Sequence, residues 1–344
     1  MNAPILDSFS LLEGKGMPLP AEQVAFSTFK DVHEQARGID GWKLDYTQIS
    51  CGRFEGNVKV ARLGGVRLVL EQRNKVILSR GSTPSNRLVV TVPLELEGHS
   101  CMCGEKSNRD SLHVFSSSPN FEFYSPERHV LVNVEVDIDQ LSNTLLTPLA
   151  ERLRAEAHMP VVPMTPDVAE SLRALVNLGL QSSTMGTSSS AEHASRSKLM
   201  EQTILFGVSE VMEANASSDN GSREIKHWAT VNLVRERLEN PETCPLSIAE
   251  LCVQLRLSRR TVQNAFQQAL DINPIAYLRA VRLNYVKRDL RLGQSVTEAA
   301  LRWGFFQLGA FAQDYRRMFG ELPSETARKQ KHLALTGLAA DVHQ

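Results

Sequence analysis

The chain has 344 residues, 42% of them hydrophobic, enough for two domains each with a core. Five scattered cysteines, Cys51, Cys101, Cys103, Cys244 and Cys252, argue against a disulfide framework and for reduced thiols. The net charge of −1 hides an asymmetry: residues 223–331 hold 18 Lys/Arg against 11 Asp/Glu, a net +7, and the rest holds 20 against 28, a net −8. A basic module joined to an acidic one points to a polyanion as the partner of the basic part. No apolar run approaches the roughly 20 residues of a membrane helix. Residues 1–7 lack the basic-then-apolar pattern of a leader, so the expected setting is cytoplasmic, away from any membrane.

Residues 43–136 read as short strands. Val66–Leu70, Arg87–Val92 and Val130–Val136 are rich in β-branched residues, with Gly64-Gly65, Thr83–Asn86 and Ser116–Asn120 as punctuation. Strands at roughly 8–12-residue spacing suggest a sandwich or small barrel. Helical spacing begins after Asp137, with Ile138, Leu141, Leu145, Leu146 and Leu149 on one face. A second helix is expected over 167–181, inward at Val168, Leu172, Leu175, Val176 and Leu180. The Ser/Thr-rich stretch from Gln181 reads as a loop in its first half. A third helix follows over about 191–214, with Leu199, Ile204, Leu205, Val208, Val211 and Met212 as its stripe. Asn215–Ser222 has the composition of a flexible linker and falls where the charge balance changes sign. From Ile225 to about Leu335 everything reads as helix.

Within that last region Ser247-x-x-Glu250 is a capping box opening a helix whose face is Ile248, Leu251, Cys252 and Leu255. Ser258 is an N-cap for a new helix, inward at Val262, Ala265, Phe266 and Leu270. Its outer face carries Arg259, Arg260, Gln263, Asn264 and Gln267. Two helices joined by a turn of about three residues fit a helix-turn-helix, and the outer set has the chemistry of base readers, Arg for guanine and Gln or Asn for adenine. A helical hairpin with a solvated polar face is the plainer alternative. The pattern then recurs. Ser295-x-x-Glu298 is a second capping box, followed by Val296, Ala299, Ala300 and Trp303, a turn at Gly304-Phe305, and Phe311, Tyr315 and Phe319. Asn273-Pro274 closes the first unit and Leu322-Pro323 the second, with a one-residue drift that fits a longer second turn. Pro274–Leu292 reads as one connecting helix, inward at Leu278, Val281, Val286 and Leu290. At 1.5 Å per residue it spans roughly 27 Å, close to one turn of B-DNA at about 34 Å.

These residues resemble the C-terminal DNA-binding domain of the AraC/XylS family of bacterial transcription regulators. The matching pieces are Ile248–Cys252, Leu257-Ser258, Phe266, Asn273-Pro274, Tyr277-Leu278, Arg282-Leu283 and the run "VTEAALRWGFFQLGAFAQDYRRMFGELPSE", about 105 residues in all. Arg256 departs from the family, which has Gly at the first turn. Leu308-Gly309-Ala310 departs again, because family readers there are often polar. The second unit is therefore expected to read fewer bases and to lean on phosphates. The layout also looks like the subgroup that includes the ethanolamine-utilisation operon activator, through "CGRFEGNVKVARLGGVRLVLEQRNKVILSRG" and the second unit.

The resemblance implies an α+β multidomain chain. A cupin-like β-barrel or sandwich with flanking helices would come first, then an all-α domain of two helix-turn-helix units joined by a long helix. Residues 1–165 would be the sensor, 166–214 a packing or dimerisation segment, 215–224 a linker, 225–335 the DNA-binding domain and 336–344 a tail. It implies an effector-responsive activator of a catabolic operon, not an enzyme and without a cofactor. Its partners would be double-stranded promoter DNA, a small organic effector, RNA polymerase and a second copy. Arg260, Gln263, Asn264 and Gln267 would read bases from the first unit and Gln307 and Gln313 from the second. Arg259, Thr261, Arg316 and Arg317 would hold phosphates.

Other chemistry finds little support. His99, His113 and His129 are isolated, without the His-x-His of a metal cupin, and Cys101-Met-Cys103 has no second pair to complete a site. Phe54, Glu71, Arg73, Phe121 and Phe123 are of the types that line an effector pocket. An enzyme with an appended helical domain, or a DNA-binding regulator controlled by a protein partner alone, are the competing classes.

Overall fold

The computed structural model describes residues 24–115, 120–137, 160–182, 190–215, 228–239 and 243–330. The N-terminal half is two antiparallel sheets. The larger has the order β1 (Val24–Phe29), β3 (Gly56–Leu63), β4 (Val66–Arg73), β11 (His129–Asp137), β6 (Arg87–Leu96), β9 (Ser111–Val114) and β12 (Val161–Pro163). The smaller runs β2 (Lys43–Gln48), β5 (Ile77–Ser82), β10 (Phe121–Ser125), β7 (Ser100–Met102) and β8 (Glu105–Ser107). Among the described residues each sheet is open and they share no strand, so the architecture is a pair of sheets and not one closed barrel. A short helix, α1 (Val32–Arg37), lies between β1 and β2.

Period-2 alternation gives the large sheet two unlike faces. Leu68, Leu70, Val90, Val92, Val132 and Val134 form one apolar face, covered by α2 (Pro166–Ser182) and α3 (Ser190–Asn215) through Leu172, Val176, Leu180, Ile204, Leu205 and Val208. Two residues expected in those helical stripes face solvent instead: Val168 is 43% exposed and Leu199 65%. The other face turns towards the smaller sheet and carries buried charge. Glu135, fully buried, accepts from Trp42 Nε1 at 2.8 Å, Arg67 Nη2 at 3.0 Å and Arg87 Nη1 at 2.7 Å. Three donors are what a carboxylate needs when it is removed from water.

The C-terminal half is helical, as expected: α4 (Trp228–Glu239), α5 (Ile248–Leu255), α6 (Arg259–Leu270), α7 (Pro274–Arg291), α8 (Val296–Arg302) and α9 (Leu308–Phe319). Its core is not its own alone. Ile49, Leu78, Cys101 and Tyr124 from the N-terminal half belong to the same apolar cluster as Trp228, Phe266, Tyr277, Leu283 and Trp303. Leu78 and Tyr124 alternate with Ser79 and Phe123, so the smaller sheet is buried on both faces. The expected helix over 138–149, the loop at 183–189 and the linker residues 216–222 lie outside the described residues.

Candidate nucleic-acid interface

The first helical pair is built by its caps. Ser247 Oγ accepts from Glu250 N at 3.1 Å. The Glu250 carboxylate accepts from Leu246 N at 2.8 Å, one residue earlier than a reciprocal box requires. Helix α5 ends at Arg256, whose φ of 53° and ψ of 36° are left-handed, so this chain tolerates there a conformation that costs a non-glycine residue roughly 1 kcal/mol. Ser258 then caps α6, accepting from Thr261 N at 3.0 Å. Val262, Ala265, Phe266, Ala269 and Leu270 are buried. Arg259, Arg260, Gln263, Asn264 and Gln267 are all exposed on the opposite face. Among the described residues the side chains of Arg259, Arg260, Gln263 and Asn264 have no hydrogen-bond or ion-pair partner, so a ligand can take them without breaking anything. Gln267 is bonded to Asp271 at the helix end, and Thr261 Oγ1 sits 2.8 Å from Ser258 Oγ within the cap.

The second pair repeats the plan with a full capping box: Glu298 N donates to Ser295 Oγ at 3.2 Å and Ser295 N to Glu298 Oε2 at 3.4 Å. The turn 303–307 is longer than 256–258, and α8 is one residue shorter than α5. That is the source of the one-residue drift in the repeat. Gly304 makes the left-handed turn at φ 74°. Trp303 donates to Asp289 at 2.8 Å and stacks on Tyr285 with centroids 4.3 Å apart. Phe311, Tyr315, Met318 and Phe319 are buried. Gln307, Gln313 and Arg316 are exposed, and among the described residues their side chains have no such partner. Arg317 is bonded to Asp314, which also takes Arg279. Its guanidinium is thus already neutralised in part.

Between the units α7 is bound to the N-terminal half. Asn284 Nδ2 donates to Gln48 O at 2.7 Å and Gln48 N returns a bond to Asn284 Oδ1 at 3.1 Å. Asp31 caps α1, accepting from His33 N at 2.8 Å, and its other oxygen lies 2.7 Å from the buried Lys287 Nζ. Arg291 reaches the same carboxylate at 2.7 Å. Burial would raise the Asp31 carboxyl, but Lys287 and Arg291 outweigh it and hold it well below the usual carboxylate range. The end of α9 is gripped too: Gly52 N donates to Arg317 O at 3.0 Å and Gln48 Nε2 to Met318 O at 2.8 Å. These contacts join residues more than 200 positions apart, and no local pattern in the sequence announces them. Several cations counted in the +7 are therefore consumed by structure, whereas Arg256, Arg259, Arg260 and Arg316 face outward.

The candidate effector residues do not converge as one pocket lining. Glu71 accepts from Tyr46 Oη at 2.9 Å and from Asn133 Nδ2 at 3.1 Å, with Arg73 Nη2 at 3.5 Å. Arg73 donates to Ser79 Oγ at 2.9 Å. Phe121 and Phe123 belong to a neighbouring cluster with Met102 and Leu131, while Phe54 packs on Val32, Tyr46 and Ile77. His113, 5.0 Å from the Phe123 ring, is fully buried with neither ring nitrogen hydrogen-bonded, and burial pushes its pKa down to about 3. Among the described residues no three His, Cys, Asp or Glu side chains gather as metal ligands would, and no helix is long and apolar enough to cross a membrane.

Residues 251–329 match a family described as a helix-turn-helix domain. The chain is similar to a probable thc operon regulatory protein of Rhodococcus erythropolis, 35% identical over 102 residues, 28% of this chain and 31% of that protein. It is also similar to a XylDLEGF operon transcriptional activator of Pseudomonas putida, 33% identical over 148 residues, 41% of this chain and 46% of that one. The chain thus spans less than half the length of these curated relatives. The crystal structure of the AraC-like transcriptional activator CuxR superposes with a TM-score of 0.41 at 13% identity, over 76% of this chain and 94% of that one. The matched relatives are named as transcriptional regulators, and residues 251–329 of this chain match a helix-turn-helix domain.

Proposed function

We propose that the chain is a sequence-specific DNA-binding transcription regulator, an activator whose N-terminal half responds to a small organic effector. The observation that carries this is the exposed, unpartnered set Arg259, Arg260, Gln263 and Asn264 on one face of α6. In this reading Arg260, Gln263, Asn264 and Gln267 read base edges, helped by Gln307 and Gln313, while Arg259, Thr261, Arg316 and Arg317 hold phosphates. Residues 225–335 act as the DNA-binding domain and 1–165 as the sensor. Exposed Leu178, Leu199 and Phe206 on α2 and α3 favour a second copy as partner. RNA polymerase contact, a cytoplasmic setting and the likeness to the ethanolamine-operon subgroup belong to the same proposal. The contacts of Asp31 and Gln48 with α7 give the effector a route to the DNA-binding half, since shifting a domain contact needs only differential affinity for its two states.

The test is binding of the full chain to the DNA upstream of its own gene at rising salt. The three arginines assigned to phosphates, Arg259, Arg316 and Arg317, predict a slope of log affinity on log salt of roughly −2 to −3 for each protomer bound. A flat dependence, or equal affinity for random DNA, refutes the reading.

A further inference from the structure

The two recognition helices present unlike chemistry at matching places. With the offset between the starts of α6 and α9, Gln307 stands where Ser258 does, Leu308 where Arg259 does, Gly309 where Arg260 does and Ala310 where Thr261 does. Phe306 falls opposite Leu257. Leu257 is half-buried, but Phe306 is 68% exposed, and Leu308 is 41% exposed beside it. Phe305 is buried, held under the Arg282 guanidinium 4.6 Å from its ring, so the neighbouring Phe306 is left outside. A Cβ on Gly309 would meet nothing within 4 Å, so no packing explains a glycine there, in the first turn of a helix where it costs up to about 1 kcal/mol relative to alanine. Its absence of a side chain lets a partner come close to the backbone.

The patch is apolar at its centre and cationic at its edge. Gln313 and Arg316 continue the outer face one and two turns on from Gly309, Arg317 lies next to them, and Arg302 is half-exposed on the preceding helix. A groove walled by phosphates complements that edge. Within the major groove the apolar feature a base pair offers is the thymine C5-methyl group. Hydrogen-bond readout is what the first unit is equipped for, and the second lacks the side chains for it at its opening turn.

We propose that the second unit reads thymine methyl groups by apolar contact, with Phe306, Leu308 and Ala310 against the methyls and Gly309 admitting the groove wall. This rests on the DNA-binding reading above and deepens it: the second unit is a reader of another kind, where the sequence suggested only a weaker one. Burying one methyl contributes about 0.8 kcal/mol, so each methyl removed weakens binding about fourfold.

The experiment uses the full chain and a site chosen from a random DNA pool, with footprinting to separate the two half-sites. Thymines in the second half-site are replaced one at a time by deoxyuridine, which removes the methyl and leaves the pairing. The expected result is a several-fold loss at one or two positions, and little loss from the same replacement in the first half-site. The variant Phe306→Ala, at an exposed position, should keep the melting temperature and bind thymine and uracil sites equally. Phe306→Gln should also remove the preference for thymine in a fresh selection. If the chain binds no specific site, the DNA-binding reading fails and this one with it. If it binds and protects both half-sites but is indifferent to uracil, the methyl readout alone is overturned. It is overturned as well if Phe306→Ala leaves DNA affinity and uracil sensitivity intact and lowers only transcription, because the patch then meets a protein.

Discussion

The two helix-turn-helix units share a plan and differ in use. Both open on a serine cap, both bury an aromatic at the centre of the second helix, and both lean on α7. The first unit carries four exposed, unpartnered polar side chains on α6, Arg259, Arg260, Gln263 and Asn264. The second opens α9 on apolar and small residues, and the far end of that helix is bound to the N-terminal half through Gly52 and Gln48. The first is also touched, since His99 lies 2.5 Å from Ala269 O at the end of α6, but that contact leaves its outer face open. A repeated scaffold thus differs in surface and in attachment: one copy leaves a polar face free on α6, and the other opens on an apolar patch and is bound at its far end to the N-terminal half.

That contrast is broken most severely at Asp31. Asp31→Asn keeps an oxygen to cap α1 but removes the charge facing Lys287 and Arg291. Lys287 is 4% exposed and would keep only Glu321, at 3.7 Å. Stranding a buried cation costs about 3 kcal/mol, which urea unfolding would show as a lower midpoint. Adding Lys287→Met should recover much of it, because a long apolar chain can fill the same space over Phe319. An unchanged midpoint for Asp31→Asn would mean that α7 is not held through this carboxylate.

Next in size is the reading face. Arg260→Ala should weaken specific binding by about 1–3 kcal/mol and relax preference at one or two base pairs. Arg317→Ala should lower specific and random binding alike, and by less, because Asp314 already shares that guanidinium. Selection from a random pool distinguishes them. An unchanged preference in Arg260→Ala removes it from the readers.

What could be read in advance follows from range. Caps and inner stripes are local, so Ser247, Ser258 and Ser295, the outward set on α6 and the strand zone were legible, and even the longer second turn followed from the repeat. Phe306 was visible as an exposed-side aromatic only once Phe305 was known to take the buried place. The contacts of Asp31 and Gln48 with α7 were not legible, because they join residues more than 230 positions apart. Nor could composition say that the smaller sheet would be buried on both faces, since Leu78 and Tyr124 look like ordinary alternation until a helical layer covers them.

The finest difference between the units lies in their turns. Arg256 and Gly304 both adopt left-handed backbone, at φ 53° and 74°. Arg256 is exposed, so its side chain contributes no packing there. Arg256→Gly should therefore stabilise the chain, by at most about 1 kcal/mol, because glycine reaches positive φ without strain but gives back some of the gain as lost entropy of the unfolded chain. At Gly304 the reverse holds. A Cβ there would collide with Leu246 Cδ2 and Arg282 Nη2, and Arg282 is fixed by its 2.7 Å bond to Trp303 O. Gly304→Ala should cost more than the roughly 1 kcal/mol of backbone strain alone. Thermal unfolding of the two variants should move in opposite directions. If both fall, the first turn needs the Arg256 side chain, and the two turns are less alike than their backbone angles make them.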